Sequence, residues 1–260
     1  MKVFIKKDKF KKITSSIEAD IIEISKNCNI DITQDIENAD IVMSIGGDGT
    51  FLKSARLSNG KPIIGINTGT LGFLTEISPE NIKEALADIE NGDYHIEERM
   101  MVDGEIIRKD GEVIEIPESL NEIAISKNTF GVVRFDATVN GKQINSYTAD
   151  GILVCTPTGS TAYNLSCGGP IVDPTAHILT LTPIAPHTLI NRSIIISEDS
   201  NVEIKITELR QKTTSYVLYD GNPIEVFNGD VIKIRKSDKV TKIIKLEDMS
   251  FIDNIRETIS

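Results

Sequence analysis

Cysteine and histidine are both scarce in this chain of 260 residues, which contains three of each. An odd number of cysteines with no CxxC pair argues against a disulfide framework and against a zinc ribbon. The histidines lie far apart and match no spacing of metal ligands. The six residues are Cys28, Cys155, Cys167, His95, His177 and His187.

Basic residues are outnumbered, because 28 Lys and Arg face 39 Asp and Glu and the net charge is −11 at pH 7. A nucleic-acid-binding surface needs clustered Lys and Arg, so we expect no nucleic-acid partner. Apolar runs are too short to span a bilayer. The first ten residues, MKVFIKKDKF, also lack the apolar core of a secretory signal. We therefore expect a soluble, cytoplasmic protein with no membrane partner.

Several motifs of nucleotide-handling and hydrolytic enzymes are missing as well. The chain has no GxxxxGKS/T P-loop, no Rossmann GxGxxG and no GxSxG nucleophile elbow. It also lacks the HRD and DFG motifs of protein kinases. If this protein binds nucleotide phosphates, it does so by another route.

Among the features present, the segment DGILVCTPTGSTAY at residues 150–163 is the most informative. An apolar run of strand type at residues 152–155 leads into four hydroxyl side chains within six positions. Gly159 allows the backbone to approach a ligand closely, and Tyr163 adds a flat aromatic face. Such a surface suits a nucleoside. The alternative is a strand end rich in Thr and Ser that caps the next helix. The four hydroxyl residues are Thr156, Thr158, Ser160 and Thr161.

A second motif, GGDGT at residues 46–50, lies between an apolar run at 39–45 and a predicted helix. A glycine turn between a strand and a helix directs backbone N–H groups and a helix N-terminus toward an anion. Asp48 fits such a turn if it binds Mg²⁺ or accepts a proton from an attacking hydroxyl. The alternative is an ordinary Asp-Gly β-turn.

The pattern of predicted elements before residue 95 alternates strands with helices. Strands are predicted at 3–5, 41–45 and 62–66, and helices at 11–26, 50–57 and 81–90. In the first helix, Ile13, Ile17, Ile21 and Ile24 share one side, which we expect to face inward. Alternation of this kind predicts an α/β N-terminal domain with a Rossmann-like parallel sheet.

After residue 95 the pattern becomes rich in strands, which indicates an all-β C-terminal domain of packed antiparallel sheets. Hairpin-type turn signals separate the runs. We predict domains at residues 1–94 and 95–246, followed by a tail, 247–260, that docks back as a short helix. The turn signals are Asp103-Gly104, Asp110-Gly111, Asn140-Gly141 and Asn228-Gly229.

Taken together, these motifs resemble those of the NAD kinase family. The segment NTGTLGFL at residues 67–74 is similar to the family's NxGxLGFL, and Asn121-Glu122 resembles its Asn-Glu pair. Residues 150–171 closely resemble its DGxxVxTPTGSTAYxxSxGGPI segment, and residues 183–189, PIAPHTL, resemble a further element. GGDGT is also shared with lipid kinases, sphingosine kinases and 6-phosphofructokinases, so the longer segments carry the specificity.

The resemblance implies transfer of the γ-phosphoryl group of ATP, or of phosphate from polyphosphate, to the 2′-hydroxyl of the adenosine ribose of NAD. The product is NADP. Asp48 is the implied general base. Gly46, Gly47, Gly49 and Thr50 would surround phosphate and metal. The implied cofactor is Mg²⁺, held mainly by the nucleotide phosphates.

The resemblance also implies residues that bind the dinucleotide. Asn121 can read an adenine edge, Glu122 can accept hydrogen bonds from ribose hydroxyls, and Asp150 would contact the nicotinamide half. Without the resemblance, Asn121 and Glu122 would be an exposed pair at the start of a strand. The further implied binding residues are Asn67, Thr158, Thr161, Ala162, Tyr163, Asn164, Ser166 and Ala185.

One position departs from the family pattern. Thr148 stands where several relatives carry Arg or Lys. If such a charge helps to hold a phosphate, Lys53 is a candidate to supply it, and plain solvent exposure is the alternative for Lys53. The family commonly forms homo-oligomers, so a homodimer or homotetramer is expected.

Two other functions share some of these features. A lipid or sugar kinase would use the same GGDGT turn, but a lipid kinase needs an apolar acceptor pocket, whereas the TPTGSTAY surface is polar. A non-catalytic NAD(P) sensor would keep the dinucleotide pocket without turnover. The presence of Asp48 argues against it.

Overall fold

The computed structural model describes residues 1–8, 12–69, 72–75, 77–128, 131–188, 191–209, 214–246 and 251–259. Parts of several predicted segments lie outside these ranges. They are residues 11, 70, 71, 189, 247–250 and 260.

The described ranges contain sixteen strands, five α-helices and two 3₁₀ helices. The strands are β1 Lys2–Lys7, β2 Asp31–Thr33, β3 Ile41–Gly46, β4 Ile63–Asn67, β5 His95–Ile107, β6 Val113–Ser119, β7 Glu122–Lys127, β8 Val133–Val139, β9 Lys142–Ala149, β10 Gly151–Cys155, β11 Ile178–Ile184, β12 Ile194–Ser197, β13 Val202–Leu209, β14 Ser215–Tyr219, β15 Asn222–Val226 and β16 Val231–Lys245. The helices are α1 Lys12–Ser25, α2 Asp48–Leu57, α3 Ile82–Asn91, α4 Tyr163–Ser166 and α5 Phe251–Ile259, with 3₁₀ helices at Pro79–Asn81 and Thr158–Thr161.

The chain divides into two compact units. Unit 1 comprises Met1–Arg99 and Val240–Ser260, and unit 2 comprises Met100–Lys239. These divisions fall inside β5 and β16, whereas the boundaries predicted from the sequence, 94/95 and 246/247, follow the change in residue pattern.

Unit 1 is built on a parallel sheet with the order β2-β1-β3-β4, and Ile243 of β16 pairs in parallel with Ile63 of β4. Every residue of β3 and β4 is buried. Strands buried on both faces need continuous apolar sequence, because helices cover both sides of the sheet. The Rossmann-like parallel sheet predicted for the N-terminal domain is therefore confirmed.

Helix α1 packs on this sheet through a face slightly different from the predicted one. Ile17 and Ile21 are buried as expected, but Ile13 is 50% exposed. Thr14 is buried instead, and its Oγ1 donates a hydrogen bond to the Asp8 carbonyl oxygen at 2.7 Å. Positions 14, 17 and 21 follow helical spacing, so the inward stripe is centred one residue away from Ile13.

Unit 2 contains two antiparallel layers. One is a six-stranded sheet with the order β12-β11-β10-β7-β14-β15. The other contains β16, β13, β8 and β9, with β5 paired to β16 and β6 paired to β5. Ile125 and Ile152 from the first layer share one apolar core with Phe135, Ile204 and Ile232 from the second. The prediction of packed antiparallel sheets is confirmed.

One predicted turn is wrong. Asp103-Gly104 lies inside β5 rather than between two strands. A Cβ atom on Gly104 would lie 2.1 Å from the Lys233 carbonyl oxygen, and the β5–β6 register shifts between Val102 and Gly104. Glycine inside a strand commonly marks a bulge and a close backbone approach, and here it does both.

None of the helices in the described ranges is both long enough and apolar enough to cross a bilayer. The cytoplasmic location stays a prediction from the sequence.

Candidate functional site

The GGDGT motif forms the connection between β3 and α2 in unit 1. Gly47 caps the helix, and its carbonyl oxygen accepts hydrogen bonds from the N–H groups of Thr50 at 2.8 Å and Phe51 at 3.1 Å. A Cβ on Gly46 would lie 2.4 Å from Thr50 Oγ1, so internal packing requires Gly46. A Cβ on Gly47 or Gly49 would meet no atom of the described residues within 4 Å. These two glycines therefore border space that the described part of the chain does not fill.

Asp48 links this turn to the NTGTLGFL segment. Its Oδ2 accepts a hydrogen bond from the Phe73 N–H at 3.1 Å, and its Oδ1 accepts one from the Leu74 N–H at 3.3 Å. Thr75 Oγ1 lies 3.5 Å from the same Oδ1. A Cβ on Gly72 would lie only 2.2 Å from Oδ1, so a glycine lets the chain pass the carboxylate. Two motifs far apart in sequence thus meet at Asp48.

The environment of Asp48 favours its protonated form more than water does. Burial raises the pKa of this carboxyl group, while the hydrogen bonds from Phe73, Leu74 and Thr75 act in the opposite direction. A raised pKa makes the ionised carboxylate a stronger base. Asp48 is therefore a partly buried carboxylate with a raised pKa, which an ordinary Asp-Gly β-turn does not explain.

The other predicted residues of unit 1 differ in their surroundings. Asn67 ends β4, and its Oδ1 accepts a hydrogen bond from the Gly69 N–H at 2.9 Å, which shapes the turn after the strand. Among the described residues, nothing lies within 4 Å of the place where a Cβ on Gly69 would stand. Lys53 is exposed on α2.

In unit 2, Asn121 and Glu122 are both only 8% exposed. The alternative of an exposed pair at a strand start is therefore wrong. Glu122 begins β7 and stands opposite Cys155 of β10. Burial, together with the nearby charge of Asp220, raises the pKa of Glu122 to about 8. Its Oε2 is buried without a hydrogen-bond partner among the described residues, and such an atom calls for a ligand or water.

Two of the four hydroxyl residues in the TPTGST stretch serve the fold. Thr156 Oγ1 donates to the Leu120 carbonyl oxygen at 2.6 Å and accepts the Gly159 N–H at 3.1 Å. Ser160 Oγ donates to the Val172 carbonyl oxygen at 3.2 Å and accepts the Val172 N–H at 3.0 Å. Both residues are fully buried, so their hydroxyls tie neighbouring segments together.

The expected role of Gly159 also changes. A Cβ on Gly159 would lie 2.1 Å from the Asn121 carbonyl oxygen. The close approach that this glycine permits is to the main chain of Asn121 and not to a ligand, contrary to our expectation. Thr158 is buried, and Thr161 is half-buried and donates a hydrogen bond to the Thr158 carbonyl oxygen at 3.3 Å.

Helix α4 follows this stretch. Three of the residues expected to bind the dinucleotide lie in this helix, and a fourth, Ala162, directly precedes it. Tyr163 is half-buried and packs against the apolar cluster of Ala124, Leu153 and Cys155. Burial raises the pKa of the Tyr163 hydroxyl. Ala162 is half-buried, and Ser166 is exposed.

Asn164 is fully buried and its amide is used inside the protein. Nδ2 donates to the carbonyl oxygens of Ser160 at 3.2 Å and Pro170 at 3.0 Å. Oδ1 accepts the Thr182 hydroxyl at 2.7 Å. These bonds fasten α4 to the GGPI loop and to β11, so a contact from the Asn164 side chain to a ligand stays a prediction.

Three further predicted residues, Thr148, Asp150 and Ala185, gather where β10 begins. The Asp150 N–H donates to the Ile184 carbonyl oxygen at 3.0 Å, and the His187 N–H donates to the Thr148 carbonyl oxygen at 2.8 Å. Ala185 is exposed and has φ +44°, a strained value for a residue with a side chain. Strained backbone of this kind concentrates at functional sites.

A cation near Asp150 was not predicted from the sequence. Lys127 Nζ lies 2.6 Å from Asp150 Oδ1 and also donates to the Gly131 carbonyl oxygen at 2.9 Å. Lys127 ends β7, which pairs with β10 so that Ser126 stands opposite Gly151. Only the strand register reveals this pair, because no local motif marks Lys127.

Comparison with known proteins decides the family. The family model of the ATP-NAD kinase N-terminal domain matches residues 5–94, and that of the ATP-NAD kinase C-terminal domain matches residues 120–246. The chain belongs to the NAD kinase family. It is an enzyme, a kinase.

Curated relatives agree with this assignment. An NAD kinase from Caldanaerobacter subterraneus subsp. tengcongensis is 42% identical over 226 residues, which is 85% of this chain and 79% of the relative. An NAD kinase from Lachnospira eligens is 38% identical over 84% of this chain and 80% of the relative.

Solved structures of this family share the fold. An NAD kinase from Archaeoglobus fulgidus in complex with ATP is 29% identical, with a TM-score of 0.80 over 99% of each chain. A yeast NADH kinase complexed with NADH has a TM-score of 0.89 over 100% of this chain and 87% of the yeast chain, at 24% identity. The yeast protein bears on the fold alone.

Proposed function

We propose that this NAD kinase family member phosphorylates the 2′-hydroxyl of the adenosine ribose of NAD and thereby makes NADP. The observation that carries the proposal is Asp48, a partly buried carboxylate with a raised pKa beside the open space at Gly47 and Gly49. The relatives named NAD kinase, at 42% and 38% identity, support the acceptor. The ATP complex of the Archaeoglobus fulgidus enzyme supports ATP as the donor.

In this proposal Asp48 accepts the proton of the 2′-hydroxyl as that oxygen attacks phosphorus. When bound, ATP supplies the γ-phosphoryl group: the bond between the γ-phosphorus and the β,γ-bridging oxygen breaks, and ADP leaves. The N–H groups of Phe73 and Leu74 hold the Asp48 carboxylate in one orientation. Because one carboxylate is a modest base, most of the acceleration must come from positioning and from neutralising charge.

Mg²⁺ belongs to the proposal as a metal carried mainly by the nucleotide phosphates, where it neutralises developing charge. Within the described part of the chain, His, Cys, Asp and Glu side chains form no group of three that could hold a metal by itself. Asp48 beside the open glycine positions is the carboxylate that fits a shared role of this kind. Inorganic polyphosphate as an alternative donor stays a prediction.

We assign the dinucleotide to the unit 2 residues on and around β7 and β10. Glu122 stands opposite Cys155 and Ser126 opposite Gly151, so Glu122 and Asp150 lie near opposite ends of β10. From Gly151 to Cys155 the strand advances by four residues, which is about 14 Å. A single molecule that contacts both ends of β10 must therefore be elongated. A dinucleotide has that length, and the half-buried face of Tyr163 can stack on a base or ribose.

The polar character of these residues also bears on the alternative lipid kinase. The buried carboxyl of Glu122 and the amide of Asn121 suit a ligand with hydroxyls and ring nitrogens rather than an acyl chain. Assembly as a homodimer or homotetramer stays a prediction from the family resemblance.

Our first prediction tests the reaction and the base together. Asp48→Asn should lower turnover by a factor on the order of 10² to 10⁴, the usual contribution of a general base. NAD affinity should change little, because the substitution keeps the size of the side chain. The measurement is NADP formation from NAD, ATP and Mg²⁺, read through an NADP-specific dehydrogenase, with NAD affinity measured by calorimetry.

Lys53→Met is the matched variant for the same assay, because Lys53 lies on the same helix and is the candidate for an extra phosphate contact. A rise in the ATP KM of this variant would support that contact, and an unchanged ATP KM would leave Lys53 as a solvated side chain. Near-normal turnover of Asp48→Asn would show that Asp48 is not the base. Dinucleotide binding without turnover from either ATP or polyphosphate would favour the sensor.

A further inference from the structure

Asp220 occupies the tight turn between β14 and β15. Its φ is +44° and that of Gly221 is +80°, so both central residues of the hairpin adopt left-handed backbone. The type I′ hairpin turn requires this conformation, and Gly or Asn satisfies it as well as Asp. The turn alone therefore does not require a carboxylate at position 220.

The Asp220 carboxylate instead binds a distant segment. Oδ2 accepts the Leu120 N–H at 2.9 Å, and Oδ1 accepts the N–H groups of Asn121 at 2.9 Å and Glu122 at 3.4 Å. In return, the Asp220 N–H donates to the Glu122 carbonyl oxygen at 3.2 Å. Hydrogen bonds to an ionised carboxylate are stronger than neutral ones, so three of them fix this short segment firmly.

The same segment is held from its other side. The Thr156 hydroxyl donates to the Leu120 carbonyl oxygen at 2.6 Å, and the Thr156 N–H donates to the Asn121 carbonyl oxygen at 2.9 Å. The N–H groups of residues 120–122 therefore donate to the Asp220 carboxylate, and the carbonyl oxygens of residues 120 and 121 accept hydrogen bonds from Thr156. The directions in which the Asn121 and Glu122 side chains leave the backbone follow from these contacts.

We propose that Asp220 is a positioning residue for the dinucleotide, because its carboxylate holds the main chain of residues 120–122 and so places the Asn121 and Glu122 side chains. This inference rests on the proposed function, in which those two side chains bind NAD. Asp220 acts through them and does not touch the substrate.

The charge of Asp220 has a second effect on the same site. Three ionisable groups lie near the Glu122 carboxyl group: the thiols of Cys155 in β10 and Cys167 after α4, and the Asp220 carboxylate in the β14–β15 turn. Tyr219 of β14 pairs with Ile123 rather than with Glu122. Burial raises the pKa of both thiols, so they stay neutral near pH 7. Asp220 is thus the anion that, with burial, keeps Glu122 protonated until about pH 8. Removing its charge lowers the pKa of Glu122.

The test compares Asp220→Asn and Asp220→Gly with Asp110→Asn in the full-length chain. Asn at position 220 is compatible with the turn, but its amide NH₂ group is a donor where the N–H groups of residues 120–122 require an acceptor. Gly at position 220 tolerates φ +44° and removes the side chain altogether. Asp110 also precedes a glycine in a hairpin turn, but the hydrogen bond that its carboxylate accepts is local, from the Glu112 N–H at 3.1 Å. The readouts are NAD affinity by calorimetry, KM and kcat for NAD, the pH profile of NAD affinity, and thermal unfolding.

Both Asp220 variants should stay folded and should raise the NAD KM and dissociation constant by at least about tenfold, the loss expected for hydrogen bonds to a charged group. The ATP KM should not move. The inflection of NAD affinity near pH 8 in the wild type should shift to lower pH in Asp220→Asn. Asp110→Asn should leave all four readouts unchanged.

Two results would overturn the inference alone. One is folded Asp220 variants that bind NAD as the wild type does, with an unmoved inflection. The other is an Asp220→Gly variant that unfolds, because the carboxylate would then support the fold in general. A wild-type protein that neither binds nor phosphorylates NAD would overturn the proposed function, and this inference with it.

Discussion

Gly159 lies against the main chain of Asn121, where a Cβ atom would stand 2.1 Å from the carbonyl oxygen. The other neighbours of the same Cβ are also backbone atoms of Asn121, at 2.5 and 2.8 Å. Backbone atoms cannot rotate away as the end of a flexible side chain can. A side chain at position 159 therefore has to displace residue 121 or the 3₁₀ helix that carries position 159.

We predict that Gly159→Ala destabilises the protein by about 1–3 kcal/mol, the usual cost of overpacking a tight site. The NAD KM should also rise, because the displaced segment carries Asn121. Urea unfolding gives the first quantity and the NADP assay the second. An unfolding free energy equal to that of the wild type would contradict the contact between Gly159 and Asn121.

Residue-level features differ in how well sequence reveals them. Asp48 could be singled out because glycines surround it on both sides within five residues. The role of Gly159 was misassigned, because sequence shows that a glycine permits close approach but not which group approaches. Asp220 and Lys127 were missed because their partners, Leu120 and Asp150, lie 100 and 23 positions away and only the strand pairing brings them near.

At the scale of elements, the N-terminal turn of α2 combines open space with a carboxylate. Asp48 and Gly49 are the first two residues of this helix, and a Cβ on Gly49 would lie more than 4 Å from every residue that the structure describes. Alanine is favoured over glycine by about 1 kcal/mol in a helix interior. Internal packing therefore gives no reason for glycine at position 49.

We predict that Gly49→Ala raises the unfolding free energy by up to about 1 kcal/mol and nevertheless lowers turnover. The opposite signs follow because the new methyl group occupies space that the proposal assigns to phosphate. Gly65→Ala is the contrasting variant, since a Cβ there would lie 2.9 Å from the Leu74 carbonyl oxygen and should reduce stability. Undiminished kcat and ATP KM in Gly49→Ala would show that phosphate does not use this space.

Elements with a strong periodic or continuous apolar pattern could be predicted from the sequence. Which residues of an element face the core, and where a strand bulges, could be predicted less well. The runs that became β3 and β4 are apolar apart from Ser44 and Asn67, as is typical of a strand covered on both sides. Ile13 and Asp103-Gly104 were misread because a one-residue offset of a helix face and a bulge inside a strand leave no local trace. Tertiary contacts, here with Asp8 and Lys233, determine both.

At the scale of the whole molecule, each unit contains a buried ionisable group whose pKa the fold shifts to about 8. In unit 2, burial and the charge of Asp220 raise the pKa of Glu122 from 4.5 to about 8. In unit 1, burial lowers the pKa of Lys245 from 10.5 to about 8, with Glu97 Oε2 at 3.9 Å from its Nζ. Both groups make the unfolding free energy depend on pH, and they do so in adjacent pH windows.

Between pH 4.5 and about 8, folded Glu122 holds a proton that the unfolded chain has released, so its contribution to stability falls as pH rises. Between about pH 8 and 10.5, the unfolded chain holds a proton on Lys245 that the folded chain has lost, so this contribution rises with pH. Each slope is at most about 1.4 kcal/mol per pH unit.

We therefore predict that these two groups together place a minimum of stability near pH 8, measurable by urea unfolding from pH 5 to 10. Glu122→Gln should flatten the acid side of the curve and Lys245→Met the alkaline side. A curve that keeps both slopes in both variants would show that other groups control the pH dependence.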